Sequence, residues 1–237
     1  MATSSAKGGK GTVVEAKRKP VPPRVLVVEL EEAVDSVRDT LCRALSEKIP
    51  DADSKKIESA LMRFGLCAAP EQASRSVLSG LGVRATSHDD IVAAVQSAIL
   101  EFCAGNDCRL RPAVKSALDA NANSGGALAF LTSLAPEPAS RLVERLGIAG
   151  SPGLYSVGLA DGGFPTPEQW RRAARDAGGG APAVALVASR ASCKTALIAG
   201  LRCVVVPDRF TAAQDFGGAD AVIEGERITS RDFAEVL

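Results

Sequence analysis

The feature that most constrains this chain is a change of rhythm along it. One short apolar run, Arg24-Val-Leu-Val-Val-Glu-Leu30, is followed by a long stretch with helical spacing, and then short apolar runs alternate with helical segments to the end. The first run is bounded by prolines and acids and reads as a strand buried on both faces, the signature of a parallel sheet. From 34 to 103 the apolar residues recur at helical intervals: Val34, Val37, Leu41 and Leu45, then Ile57, Leu61 and Phe64, then Val77 and Leu81, then Ile91, Val92, Val95 and Ile99. Asp53 and Ser87 stand where helix N-caps are expected.

Beyond this helical insert the pattern predicts strands at 127–131, 154–159, 183–187, 203–206 and 221–223. Helices are expected at 111–118, at 138–146 with Gly147 as a stop, from Thr166 with proline at the first helical position, and at 192–199 before Gly200. Strands alternating with helices imply an α/β fold, a Rossmann-like parallel sheet with helices on both faces.

Lys plus Arg is 28 and Asp plus Glu is 28, a net charge of zero, which argues against a dedicated nucleic-acid binder. No apolar run is long enough for a membrane span, and the first residues carry no signal-like apolar segment. Residues 1–23 read as a flexible basic tail; Lys7, Lys10, Lys17, Arg18 and Lys19 would be its partner-binding charges if it docks to an acidic surface. Six cysteines without a C-x-x-C pair, and a single histidine (His88), exclude a zinc site and suit core thiols in a soluble, intracellular protein. Trp170 reads as a packing residue, and Asp161 and Asp208 as turn residues.

Several phrases resemble the haloacid dehalogenase superfamily, in its phosphoglucomutase and phosphoglycolate phosphatase branch. Leu110-Arg-Pro-Ala-Val114 is similar to the family's entry into its core, Phe164-Pro-Thr-Pro-Glu168 to its lysine–proline–x–proline–glutamate turn, and Ser189 to Val206 to its fourth motif and last strand. The resemblance implies an α/β core at 24–33 and 104–237 and a helical cap at 34–103. It also implies a phosphoryl-transfer site: an aspartate nucleophile, a second aspartate as acid and base, a Thr or Ser and a Lys for the phosphate, and carboxylates for Mg²⁺. Phosphoryl transfer is mostly positioning and charge neutralisation, so these groups must converge.

At the corresponding positions this chain carries Glu29 for the nucleophile, Glu31 for the acid/base, Thr132 with Ser133 for the phosphate, Phe164 for the lysine, and Ala188 followed by Ser189 for the metal-binding aspartate. A glutamate displaces its carboxylate by roughly 1.5 Å, and a misplacement near 1 Å already costs on the order of a hundredfold. Phe164 and Ala188 can supply neither a cation nor a ligand. The chain therefore reads first as a catalytically inactive protein of this type, acting through protein partners without a cofactor. Two alternatives stand beside it: a Mg²⁺-dependent phosphatase of small phosphorylated metabolites with an altered site, and a sensor that binds an anion without turnover. Arg190 and Lys194 are expected to pair with the glutamates.

Overall fold

The computed structural model describes residues 24–49, 52–66, 69–158, 163–224, 229, 230 and 233. The basic tail, with Lys7, Lys10, Lys17, Arg18 and Lys19, lies outside the described residues, as do Cys67 and Asp161. Six strands form one parallel sheet in the order β3-β2-β1-β4-β5-β6: β1 Val25–Glu29, β2 Ala127–Thr132, β3 Gly153–Ser156, β4 Ala183–Val187, β5 Arg202–Val205 and β6 Ala221–Val222. All five strand pairings are parallel, with Glu29 opposite Leu131 and Val28 opposite both Phe130 and Leu186.

Period-two alternation sends the strand residues to two cores. Leu26 and Val28 join Phe130, Val184, Leu186 and Val204 on one face. There they meet Val114 and Ala117 of α6 (Pro112–Asn123) and Leu142 of α7 (Pro136–Arg145). Val25 and Val27 join Ala129, Ala185 and Val205 on the other. That face is covered by Trp170 and Ala173 of α8 (Pro167–Gly178) and by Cys193 and Ala196 of α9 (Arg190–Ile198). Thr166 opens α8 with a reciprocal capping box to Gln169. Gly178 lets α8 approach β1 closely, because a β-carbon there would stand 1.9 Å from Val25 Cγ2.

A four-residue helix, α1 (Leu30–Ala33), follows β1, and the insert then adds α2 (Val37–Lys48), α3 (Ser54–Phe64), α4 (Pro70–Gly80) and α5 (His88–Ala104). Two crossings join insert and sheet, and they pair with each other: Val34 bridges Leu110 antiparallel, Asp35 N donates to Arg109 O at 2.8 Å, and Arg111 N donates to Ala33 O at 3.0 Å. Ser36, at the start of α2, adopts a left-handed φ of 64°.

The expected caps divide. Asp53 accepts from Lys56 N at 2.7 Å, as its position predicts. Ser87 makes no side-chain cap; it ends a 3₁₀ turn, and the loop is instead closed by His88, whose Nε2 lies 2.9 Å from Val83 O. His88 is thus a half-buried loop clasp. No helix among the described residues is long and apolar enough to cross a membrane.

Candidate active site

In open α/β sheets a ligand sits beyond the carboxyl ends of the strands where the strand order reverses. Here that point lies between β1 and β4, and Glu29 ends β1 there. The chain turns at once into α1, which places Glu29, Glu31 and Glu32 within four residues at one spot.

These acids are not an exposed mouth. Glu29 is 1% and Glu31 4% exposed. Glu29 Oε1 accepts from Ser192 Oγ at 2.8 Å, and Ser189 Oγ in turn donates to Ser192 Oγ at 3.1 Å. Glu29 Oε2 is buried without a hydrogen-bond partner among the described residues. Burial, and next the nearby charge of Glu32, push the Glu29 carboxyl well above the usual carboxylate range, so its neutral form is favoured. Glu31 turns toward β2: its Oε1 accepts from Ser133 N at 2.7 Å and from Ser133 Oγ. Burial raises Glu31 as well, and the Ser133 hydrogen bonds oppose the rise.

Thr132 and Ser133 are the residues expected to hold a phosphate. They do not cap α7, whose N-cap is Ala135 with no side-chain bond. Thr132 Oγ1 accepts from Leu134 N at 3.1 Å within its own turn, and Ser133 is engaged by Glu31.

The expected pairing of Arg190 and Lys194 with the glutamates does not occur. Both side chains are exposed on α9, whereas Glu29 and Glu31 are buried and Glu32 is half-buried. The cation comes instead from the insert. Arg38 of α2 donates Nη2 to Glu32 Oε1 and Nη1 to Asp208 Oδ2, and only 9% of its side chain is exposed. Burial opposes the charge on Arg38, but Glu32 and Asp208 outweigh it and raise the guanidinium. Burial likewise opposes ionisation of Asp208, yet Arg38 and Arg111 hold its carboxyl below the ordinary value. Asp208 is also a turn residue, accepting at Oδ1 from Phe210 N and Thr211 N at 2.9 and 3.0 Å. Arg111 donates to Glu32 O, Val206 O and Pro207 O at 3.3, 2.9 and 2.7 Å.

Sequence reasoning missed Arg38 and Arg111. The available signal was that Arg38 precedes the buried Leu41 and Cys42 by three and four positions, which puts a charge on the apolar face of α2. Phe164 lies half-buried in the turn before α8, where Gly163 O accepts from Ala69 N at 3.1 Å and ties that turn to the start of α4. Ala188 is buried at the end of β4, and Ser189 beside it caps α9 by accepting from Ser192 N at 3.3 Å.

A cavity of about 200 Å³ remains between sheet and insert, walled by Glu31, Glu32, Arg38, Arg111, Asp208 and Phe210 among others. The residues present do not fit Mg²⁺. Among the described residues no group of three or more His, Cys, Asp or Glu side chains is arranged to hold a metal. The Arg38 guanidinium stands between Glu32 and Asp208, and the orphaned oxygen Glu29 Oε2 belongs to a carboxyl whose neutral form is favoured.

Similarity in three dimensions covers nearly the whole chain. CbbY from Rhodobacter sphaeroides in complex with xylulose-(1,5)bisphosphate aligns with a TM-score of 0.64 at 21% identity, over 89% of this chain and 95% of that one. A HAD-family hydrolase from Deinococcus radiodurans with bound phosphate and sodium aligns with a TM-score of 0.59 at 15% identity, over 87% and 93%. This chain has the haloacid dehalogenase fold. A haloacid dehalogenase-like hydrolase from Streptococcus pneumoniae gives the same result, with a TM-score of 0.60 at 15% identity over 84% and 92%. No protein-family model and no curated protein matches the sequence. The expected α/β architecture, with its parallel sheet and helices on both faces, is therefore present. The likeness at these identities is one of fold, and activity has to be argued from the site itself.

One consequence is measurable. A carboxyl with a raised folded-state pKa stabilises the fold at low pH, and that contribution is lost as pH rises through the folded value. Glu29→Gln removes this dependence at an isosteric position. The variant is expected to match the parent near pH 4 and to exceed it at alkaline pH by on the order of 1–3 kcal/mol, read from denaturant midpoints across pH.

Proposed function

We propose that this haloacid dehalogenase-fold chain is a non-catalytic protein that works as a binding or scaffolding body. The observation that carries the reading is Arg38, held between Glu32 and Asp208, which puts a guanidinium beside the strand-end acids where the family resemblance implies a metal. With Glu29 buried and favouring its neutral form, its carboxyl is not poised to attack phosphorus. The donors of Ser133 are already satisfied by Glu31. The anion-sensor alternative gains no support, since five acids (Glu31, Glu32, Asp35, Asp39, Asp208) face three arginines (Arg38, Arg111, Arg209) around the cavity.

A second reading, a hydrolase of small phosphorylated metabolites with altered chemistry, is favoured by two facts. The fold is shared with CbbY, solved with xylulose-(1,5)bisphosphate, and with a hydrolase solved with bound phosphate, and the 200 Å³ cavity lies at the strand ends, where ligands of open α/β sheets sit. In it Glu29 would be the nucleophile or base. The two readings part in one experiment: the purified chain is assayed with Mg²⁺ against p-nitrophenyl phosphate and a panel of sugar phosphates. No turnover above the Glu29→Gln variant is expected. Turnover that disappears in Glu29→Gln would overturn the non-catalytic reading and establish the hydrolase.

A further inference from the structure

The body and the tail of this chain carry opposite charge. Residues 1–23 hold five of the 28 basic residues, Lys7, Lys10, Lys17, Arg18 and Lys19, and one of the 28 acids, Glu15. From Arg24 onward 23 basic residues face 27 acidic ones, so the zero net charge is a balance between a basic tail and an acidic body. The body also has an open cleft of about 890 Å³ between α5 and α7, which shares no lining residue with the 200 Å³ cavity. Its floor is apolar: Leu100, 42% exposed, with Ala104, Pro138 and Leu142. Leu100 and Pro138 also line an adjoining pocket of about 240 Å³, which carries the apolar strip on to Leu134 in the turn after β2.

The rim of this cleft is acidic where it is free. Arg141 is taken by Glu137, and Arg145 donates from Nη1 to Gly105 O and Asn106 Oδ1, both at 3.1 Å. Glu101 and Glu144 have no ion-pair or hydrogen-bond partner among the described residues. Glu101 also borders a second cleft, of about 400 Å³, where Glu47 and Asp107 likewise stand unpaired among the described residues, beside Arg43. Glu47, Glu101 and Glu144 sit in the last turns of α2, α5 and α7. Helix C-termini carry partial negative charge, so acids there add to it instead of offsetting it, and α5 has no basic residue in its last turn. A chain of cations laid along an apolar strip is the complement of this surface.

We propose that this chain's own residues 7–19 dock in cis along the cleft, with Lys17, Arg18 and Lys19 against Glu101, Asp107 and Glu144, and with Val13 and Val14 over Leu100. The reach is sufficient. The tail joins the fold at Arg24, whose carbonyl accepts from Ala127 N at 2.9 Å at the edge where the strands begin. Because β2 and β3 are parallel, α7 between them returns to that edge, and its last turn, with Glu144, lies toward it. An extended chain spans about 3.3 Å per residue, so Lys17 can stand up to about 23 Å from Arg24 and Lys7 up to about 56 Å. Neighbouring strands are only about 4.8 Å apart, which puts the step from β1 past β2 to β3 well inside that range. Docked there, the tail covers Leu100 and neutralises the acidic rim.

The test uses the full chain and a carbodiimide, which joins a lysine amine to an adjacent carboxylate as an amide. At low salt the monomer is expected to give links from Lys17 and Lys19 to Glu101, Asp107 or Glu144, falling several-fold in about 1 M NaCl, where the Debye length is about 3 Å. Hydrogen exchange gives a second reading. Reversing the tail by Lys17→Glu, Arg18→Glu and Lys19→Glu should speed exchange at 98–107 and 141–147, and adding Glu101→Lys with Glu144→Lys should restore the slower rate. Glu101 and Glu144 are exposed, so the fold tolerates both changes. Exchange at 98–107 that ignores the charge of the tail would overturn the proposal. So would links scattered over acids on other faces, such as Glu168 and Asp215. Links confined to a species of twice the chain's mass would give the cleft to the tail of a second copy and overturn docking in cis.

Discussion

Replacing Arg38 by methionine is expected to cost about 3–5 kcal/mol at neutral pH, the usual consequence of removing one partner from a buried ion pair. The loss comes less from the missing attraction than from what remains. Glu32, with 9% of its side chain exposed, and Asp208, with 22%, would face each other across the site without the guanidinium. Glu29 and Glu31 are buried beside them.

The pH dependence carries a definite sign. Asp208 has a depressed carboxyl in the parent, so its contribution is present at neutral pH and lost as pH falls through the folded value. Without Arg38 that contribution disappears, so the gap between parent and variant should be widest near neutral pH and narrow toward about pH 4.5, as the acids take up protons. Denaturant midpoints at the two pH values measure it. Adding Glu32→Gln and Asp208→Asn to the same variant should recover most of the loss, because a buried cluster replaced as a whole is often close to neutral. A deficit independent of pH, unrelieved by the neutral partners, would mean that Arg38 acts by packing alone.

Trp170→Ala is expected to cost a similar 3–5 kcal/mol for a different reason. The indole is fully buried between α8 and the β1–β2–β4 face of the sheet, and its Nε1 donates to Thr195 Oγ1 of α9 at 3.0 Å. Truncation removes the largest side chain of that core and leaves a hole the sheet cannot follow. Trp170→Phe keeps most of the ring and loses the hydrogen bond, so about 1–2 kcal/mol should separate it from the parent. Thermal and denaturant unfolding report both. Neither change touches the acid cluster, so the pH profile of stability should keep its shape while its height drops.

Much of this molecule was legible residue by residue. The run from 25 to 28 is apolar throughout because β1 is central and covered on both faces, and a strand of that kind leaves no alternation to misread. The insert announced itself because Leu41, Leu45, Ile57, Leu61, Val77 and Val95 recur at the spacing their helices need to bury one stripe. Asp53 capped its helix as placed, whereas Ser87 did not: a 3₁₀ turn overrode the local preference and His88 bonded the loop instead.

The site was legible only in part. Glu29, Glu31, Ser133 and Ala188 do gather at the ends of β1, β2 and β4, since strand order alone brings them there. What they do there could not be read from their types. Local charge pointed to Arg190 and Lys194 as partners of the glutamates. A helix tilts its side chains according to packing, and α9 turns those two outward.

The sequence by itself determined the layering, because hydrophobic periodicity is a local property and the choice between strand and helix follows from it. Only the tertiary structure decided the electrostatics. Arg38 meets Asp208 across 170 residues of chain, and Ser192 meets Glu29 across 163. Such pairs form only when distant elements have packed on the sheet, and burial, which is a property of the packed whole, sets whether each carboxyl keeps its charge.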